Sequence, residues 1–178
     1  MRSKLFGLAA LSLLLSACAA APPAPTVDPE GPVVRVRAYP IEVTGEEEIL
    51  DVGARSILTG RICGTLTEIG GERMNCLTHE DIDRLATAVA WRETLGGTCD
   101  EGQGQGCAET ITDLEFDLVV RGSLAMVDGK YTLDLSVLRI TPPERVASKR
   151  IQVSKPDGLF DEVEAASREF AWIILGAK

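Results

Sequence analysis

Gly122-Ser123-Leu124-Ala125-Met126-Val127-Asp128-Gly129-Lys130-Tyr131-Thr132-Leu133-Asp134-Leu135 is the stretch on which the fold turns. Asp128-Gly129 suits a type I′ hairpin turn, whose two central residues must take positive φ. That turn sets a register in which Met126 faces Tyr131, Leu124 faces Leu133, Gly122 faces Leu135 and Val120 faces Val137. One face of the hairpin is then apolar. The other carries Arg121, Ser123, Lys130, Thr132, Asp134 and Ser136, so it is at least half wet. The two strands are predicted over 116–127 and 130–141. Gly122 is expected to let a helix or backbone approach the sheet closely. Downstream, Pro142-Pro143 interrupts and 145–153 supplies a third, more polar strand near a sheet edge. Asp157 is positioned to cap a last helix to about Leu175, with Phe160, Val163, Phe170, Ala171 and Ile174 on its buried side.

Upstream, residues 33–40 alternate Val34, Val36 and Ala38 against Arg35, Arg37 and Tyr39, the period of a strand. From Glu46 to Ile69 the apolar spacing becomes helical, with Leu50, Ala54, Ile57, Leu58, Ile62, Leu66 and Ile69 on one broad face. Glu46, Glu47 and Glu48 fall where carboxylates favour a helix start, and Gly70-Gly71 stops it. Residues 73–78 form a short strand. Thr78-His79-Glu80-Asp81 reads as a capped start to a helix that turns Ile82, Leu85, Ala86 and Val89 inward and ends at Gly96-Gly97. A short helix is expected over 108–114. The order β-α-β-α-α-β-β-β-α predicts one α/β domain over 33–178, a mixed sheet with an antiparallel hairpin and meander, packed by helices. No internal repeat is visible.

The amino terminus belongs to export. Arg2 and Lys4 precede an apolar run from Leu5 to Leu15, too short for the roughly 20 residues a membrane span needs and suited to a signal peptide over 1–17. Leu15-Ser16-Ala17-Cys18 looks like a lipobox, which makes Cys18 the lipid-bearing first residue of the mature chain. Similarity to bacterial lipoproteins implies three acyl chains there and firm anchoring. The same similarity implies the outer membrane, because Ala19 follows the cysteine where inner-membrane retention in enteric bacteria favours Asp, with the domain facing the periplasm. Residues 19–32 form an Ala/Pro tether that reaches roughly 40 Å at about 3.1 Å per residue.

Four of the five cysteines remain for the domain. In an exported chain disulfides are the default. Cys99 and Cys107 bracket a polar, glycine-rich loop that a disulfide would close. Cys63 and Cys76 are then left to each other, as a second disulfide or as buried free thiols.

The formal charge is −9, and loss of Arg2 and Lys4 with the leader makes the mature chain near −11. An acidic surface argues against nucleic acid and against electrostatic attraction to anionic headgroups.

The order of elements and several local words resemble the TolB amino-terminal-domain-like group, which includes domains of curli-secretion and penicillin-binding-protein-activator lipoproteins. The matching stretches are Val34-Arg35-Val36-Arg37-Ala38-Tyr39-Pro40, the long helix after it, Thr78-His79-Glu80-Asp81-Ile82, Cys107-Ala108-Glu109, and Phe116 through Leu124. The resemblance covers about 33–175 and brings no catalytic residues to carry over.

The search for chemistry agrees with that. His79 is the sole histidine and reads as a solvated residue of a first helical turn; no zinc-ligand spacing is present. Residues 102–106 alternate glycine and glutamine without the Lys-Ser/Thr of a phosphate loop. Asp100, Glu101 and Asp113 lack the ligand ladder of a calcium loop. No Gly-x-Ser-x-Gly occurs, and Asp81 and Asp83 diverge on a helix surface. Trp91 and Trp172 stand at or off the margins of the apolar stripes, as core edge or as docking anchors. The sequence therefore points to a membrane-anchored, non-catalytic binding or scaffolding module for another envelope protein, without cofactor or metal. Two alternatives stand beside it: a subunit of a curli-exporter-like assembly, which would need further membrane-spanning hairpins, and a regulator of peptidoglycan synthesis, for which the tether is short.

Overall fold

A computed structural model describes residues 31–45, 49–94 and 115–176, with 89–94 described by backbone alone. The leader, Cys18, the tether up to residue 30, Glu46–Glu48, Gly96-Gly97, the Cys99 to Cys107 loop, the expected 108–114 helix and the Trp91 and Val89 side chains lie outside that description.

The chain is a single mixed α/β domain: an open six-stranded sheet packed by helices. β1 (Val34–Ala38), β3 (Met74–Thr78) and the start of β4 (Leu118–Val127) run parallel, with β1 between the other two. β4, β5 (Lys130–Arg139) and β6 (Glu144–Val153) form an antiparallel meander, so β6 closes one edge, as its polar composition foretold. The turn behaves as its residues dictate: Asp128 and Gly129 take φ of 51° and 71°. The register pairs Met126 with Tyr131, Leu124 with Leu133, Gly122 with Leu135 and Val120 with Val137. On the wetter face Arg121, Lys130 and Asp134 are exposed, but Thr132 is buried, and Gln152 of β6 donates to its hydroxyl.

A two-residue strand, β2 (Glu42–Val43), was not foreseen. It lies along β4 in line with β1. Between Ala38, opposite Val120, and Glu42, opposite Ser123, the β1–β2 side carries one residue more than β4, and the excess sits at Tyr39-Pro40-Ile41. Pro40 has no N–H for the ladder, and a bulge absorbs the extra residue. Ile41 turns into the core there and packs over Gly122, where an added Cβ would lie 3.1 Å from Ile41 Cγ1 and 3.0 Å from Leu135 Cδ2. The close approach expected at Gly122 is real, and a side chain makes it.

Two long helices cover one face of the sheet. α3 (Asp157–Leu175) buries Leu159, Val163, Ala166, Ser167, Phe170 and Ala171, a stripe at helical spacing, while Phe160, Trp172 and Ile174 are half-buried at its margin. The Ser167 hydroxyl, fully buried, donates to the Val163 carbonyl. Asp157 is not the cap: it lies inside the first turn, and the cap position, Pro156, offers no side-chain bond. α1 (Val52–Gly70) starts six residues later than the Glu46 run suggested. Asp51 intercepts the chain, its Oδ1 accepting from the Ala54 N–H at 2.7 Å. Leu50 therefore precedes the helix. Leu58, Ile62 and Leu66 are buried as expected, but Ile57 is 59% exposed because Thr59, Cys63 and Thr65 complete the inward face instead. After a 3-10 turn at Gly71–Arg73, Cys76 of β3 meets Cys63 of α1 in a disulfide, S–S 2.02 Å and Cα–Cα 5.1 Å.

α2 (His79–Thr94) follows β3 without a linker. It buries Ile82, but Leu85 and Ala86, expected to face inward, are exposed, Leu85 at 42%. The packed layer is formed by α1 and α3, and α2 finds no equivalent seat among the described residues. No helix of the described residues is long and apolar enough to cross a membrane.

Candidate functional site

A groove of about 390 Å³ opens beyond the carboxyl ends of β1 and β3, the end of parallel strands at which α/β sheets commonly bind ligands. Three pieces of chain build it. The bulge after β1 supplies Pro40 and Ile41. The first turns of α1 supply Val52, Arg55, Ser56, Thr59 and Gly60. The junction of β3 with α2 supplies Thr78, His79, Glu80, Asp81 and Arg84.

The junction is held by a reciprocal cap. Asp81 N–H donates to Thr78 Oγ1 at 3.1 Å, while the Thr78 N–H and hydroxyl donate to Asp81 Oδ2 at 3.0 and 2.7 Å. Those bonds from Thr78, with Arg84 nearby, hold the Asp81 carboxyl below its usual range against the opposing effect of burial. His79 is half-exposed, as a first-turn residue should be, but it is not merely solvated. Arg37 of β1 donates from Nη2 to His79 Nδ1 at 3.0 Å; because a guanidinium can only donate, the ring proton belongs on Nε2, 3.6 Å from Asp83 Oδ2. Arg37 also lies 4.7 Å from the Tyr39 ring centroid and 5.9 Å from that of Phe116, and Arg121 stacks on Tyr39 from 5.3 Å. The Thr59 hydroxyl is turned back onto the Arg55 carbonyl at 3.0 Å.

These bonds decide what the groove can do. A nucleophilic hydroxyl needs a base within reach. The nitrogen of His79 able to accept a proton is occupied by Arg37, and the two threonine hydroxyls serve the backbone or the cap. Ser56, Glu80, Arg55 and Arg84 stand beside an apolar wall, an arrangement that can hold a ligand. Among the described residues no group of three or more His, Cys, Asp or Glu is placed to share a metal ion.

A second hollow lies on β5 and β6 around Asp134, Ser136, Arg145, Ser148, Lys149 and Arg150. Its charges largely answer one another: Arg150 grips Asp134 through two bonds of 2.7 and 3.0 Å, which holds that carboxyl below its usual range, and Lys149 pairs with Glu169 of α3. Pairs this exposed contribute little.

No family model and no curated protein sequence matches the chain. Among solved structures similar to it, TolB is present. The TolB of Acinetobacter baumannii is 9% identical with a TM-score of 0.46, over 86% of this chain and 30% of that one, so the chain spans less than a third of that protein. The LpoB C-terminal domain from Escherichia coli is 14% identical with a TM-score of 0.42, over 68% of this chain and 83% of its own. PelC of Paraburkholderia phytofirmans, a dodecamer in its crystals, is 13% identical with a TM-score of 0.39, over 86% and 95%. No residue role is carried over from any of them.

Of the residues singled out in the sequence, His79 and Asp81 are brought into the groove. Cys63 and Cys76 lie in the core, and Trp172 is on α3. Arg55 was missed. Its one sequence signal, a cation in the first turn of a helix, becomes readable only once the helix is known to start at Asp51.

Proposed function

We propose that this chain is a lipid-tethered, non-catalytic binding module of the bacterial envelope, anchored through Cys18 to the outer membrane and facing the periplasm. Its task is to hold another envelope protein at the groove between α1 and α2. The observation that carries the reading is the groove's chemistry: an apolar wall with charged side chains of both signs beside it, whose histidine and threonine hydroxyls are already committed to holding the groove together. The signal peptide and lipobox supply the address. The tether of roughly 40 Å favours partners near the anchoring membrane. An exporter role is disfavoured because the long hairpin is committed on both sides, β4 to β1 and β2, and β5 to β6.

Crosslinking in living cells, followed by affinity purification of the lipidated protein and mass spectrometry, tests this. An envelope protein should co-purify with the wild type, and Cys18→Ala should shift the protein out of the membrane fraction and reduce that recovery. Repeated recovery of no envelope partner would overturn the binding reading; unchanged membrane association of Cys18→Ala would overturn the anchor.

A further inference from the structure

Both acids of the groove have partners, Arg84 serving the two, while the other arginine, Arg55, makes no ion pair among the described residues. Asp81 is held by Thr78, and Arg84 lies 3.9 Å from Glu80 and 4.0 Å from Asp81. Arg55 has no such company. It sits in the first turn of α1, where the helix dipole disfavours a cation, and that turn contains no acid. The nearest carboxylate in the described sequence, Asp51, spends Oδ1 on the Ala54 N–H. Arg55 makes no ion pair among the described residues, and its Nε–H is buried without an acceptor. A buried donor left unpaired is a cost that native proteins seldom keep without a use. Beside it, Pro40 and Val52 form exposed apolar wall, and Val52 stands 66% exposed at the rim.

We propose that the groove receives a segment of the partner protein in which an apolar side chain adjoins an aspartate or glutamate. The apolar side chain packs on Pro40 and Val52, and the carboxylate pairs with the Arg55 guanidinium. The mature chain is acidic overall, near −11 once Arg2 and Lys4 are removed from the −9 of the full sequence, so an acidic partner is repelled at long range. Recognition then depends on this local cation, which makes Arg55 the specificity-determining contact. This inference rests on the binding reading above.

The test places the photo-crosslinker p-benzoylphenylalanine at position 52 of the full lipidated chain in its own cells, with a second version at position 148, on the outer face of β6. Position 52 should give an adduct with an envelope protein whose crosslinked peptide contains Asp or Glu next to an apolar residue. Arg55→Glu should lower that yield by about tenfold or more, the worth of one charge-assisted pair. Reversing the mapped acid of the partner to lysine should restore it. Arg55→Gln, shown by an unchanged melting midpoint to be folded, should also lose yield without gaining from that reversal. The proposal is overturned by a yield indifferent to both Arg55 variants, by a mapped peptide whose only carboxylate is a chain terminus, or by failure of the charge reversal to rescue. Adducts from position 148 alone would overturn the groove assignment and leave the binding reading standing. No adduct from either position would count against both.

Discussion

α3 and α2 are helices of similar length, 19 and 16 residues, held in place by opposite means. α3 has no side-chain cap and is fixed by what it buries: Leu159, Val163, Ala166, Phe170 and Ala171 are all at most 1% exposed. α2 has a reciprocal Thr78–Asp81 cap, buries Ile82, and leaves Leu85 exposed. Among the described side chains, one helix is positioned by the core, the other by Ile82 and a few hydrogen bonds at its first turn. The groove lies beside the helix whose position depends on local bonds, and that is where a partner's contacts can add most.

The contrast can be broken first at the core. Phe170→Ala should destabilise the domain by about 3–5 kcal/mol, the usual cost of deleting a buried phenyl ring, read as a fall in the denaturation midpoint with unchanged slope. Removing the Cys63–Cys76 crosslink should cost about 3 kcal/mol, from the chain entropy returned to the unfolded state by a loop of this size. Cys63→Ala/Cys76→Ala and wild type under reductant should then unfold at closely similar denaturant concentrations. Thr78→Ala should cost about 1 kcal/mol, concentrated in α2, so amide exchange should accelerate there and stay slow in α3. That cost carries a pH signature. Asp81 has a folded value below its unfolded one, so its contribution is complete above the unfolded carboxylate value of about 3.9 and fades as pH falls through the folded value. The gap between wild type and Thr78→Ala should therefore narrow in acid; a gap that persists there in full would assign the loss to the Asp81 N–H bond to Thr78 Oγ1, which does not titrate. Leu85→Gln should be the smallest effect, within about 0.5 kcal/mol for an exposed position. A larger loss would show that α2 is packed after all.

The same division explains what was legible beforehand. The hairpin could be read residue by residue because its turn and its alternation are local, and its register held from Val120 to Tyr131. The buried stripe of α3 was legible in Val163, Phe170 and Ala171 for the same reason. The start of α1 was misread because three glutamates outweighed one aspartate, whereas the chain obeys the single side chain that reaches the Ala54 N–H. β2 escaped because two residues carry no period, and Leu85 was assigned inward because periodicity states which residues share a face and not whether anything covers it. The groove had no linear signature. Ile41, Arg55 and Arg84 are brought together only by the bulge, the disulfide-linked helix and the cap, each of which depends on the others.

The parallel pairing of β1 has a consequence in time. Its partners on β4, Leu118 to Val120, come 82 residues later in the chain, whereas β4, β5 and β6 pair through tight turns. Closing a long loop costs entropy before any contact rewards it. A chain made amino end first therefore carries β1 unpaired on its β4 side until β4 has been made. The bulge that supplies Pro40 and Ile41 to the groove rests on β4 through β2, so that wall is fixed only when β4 docks.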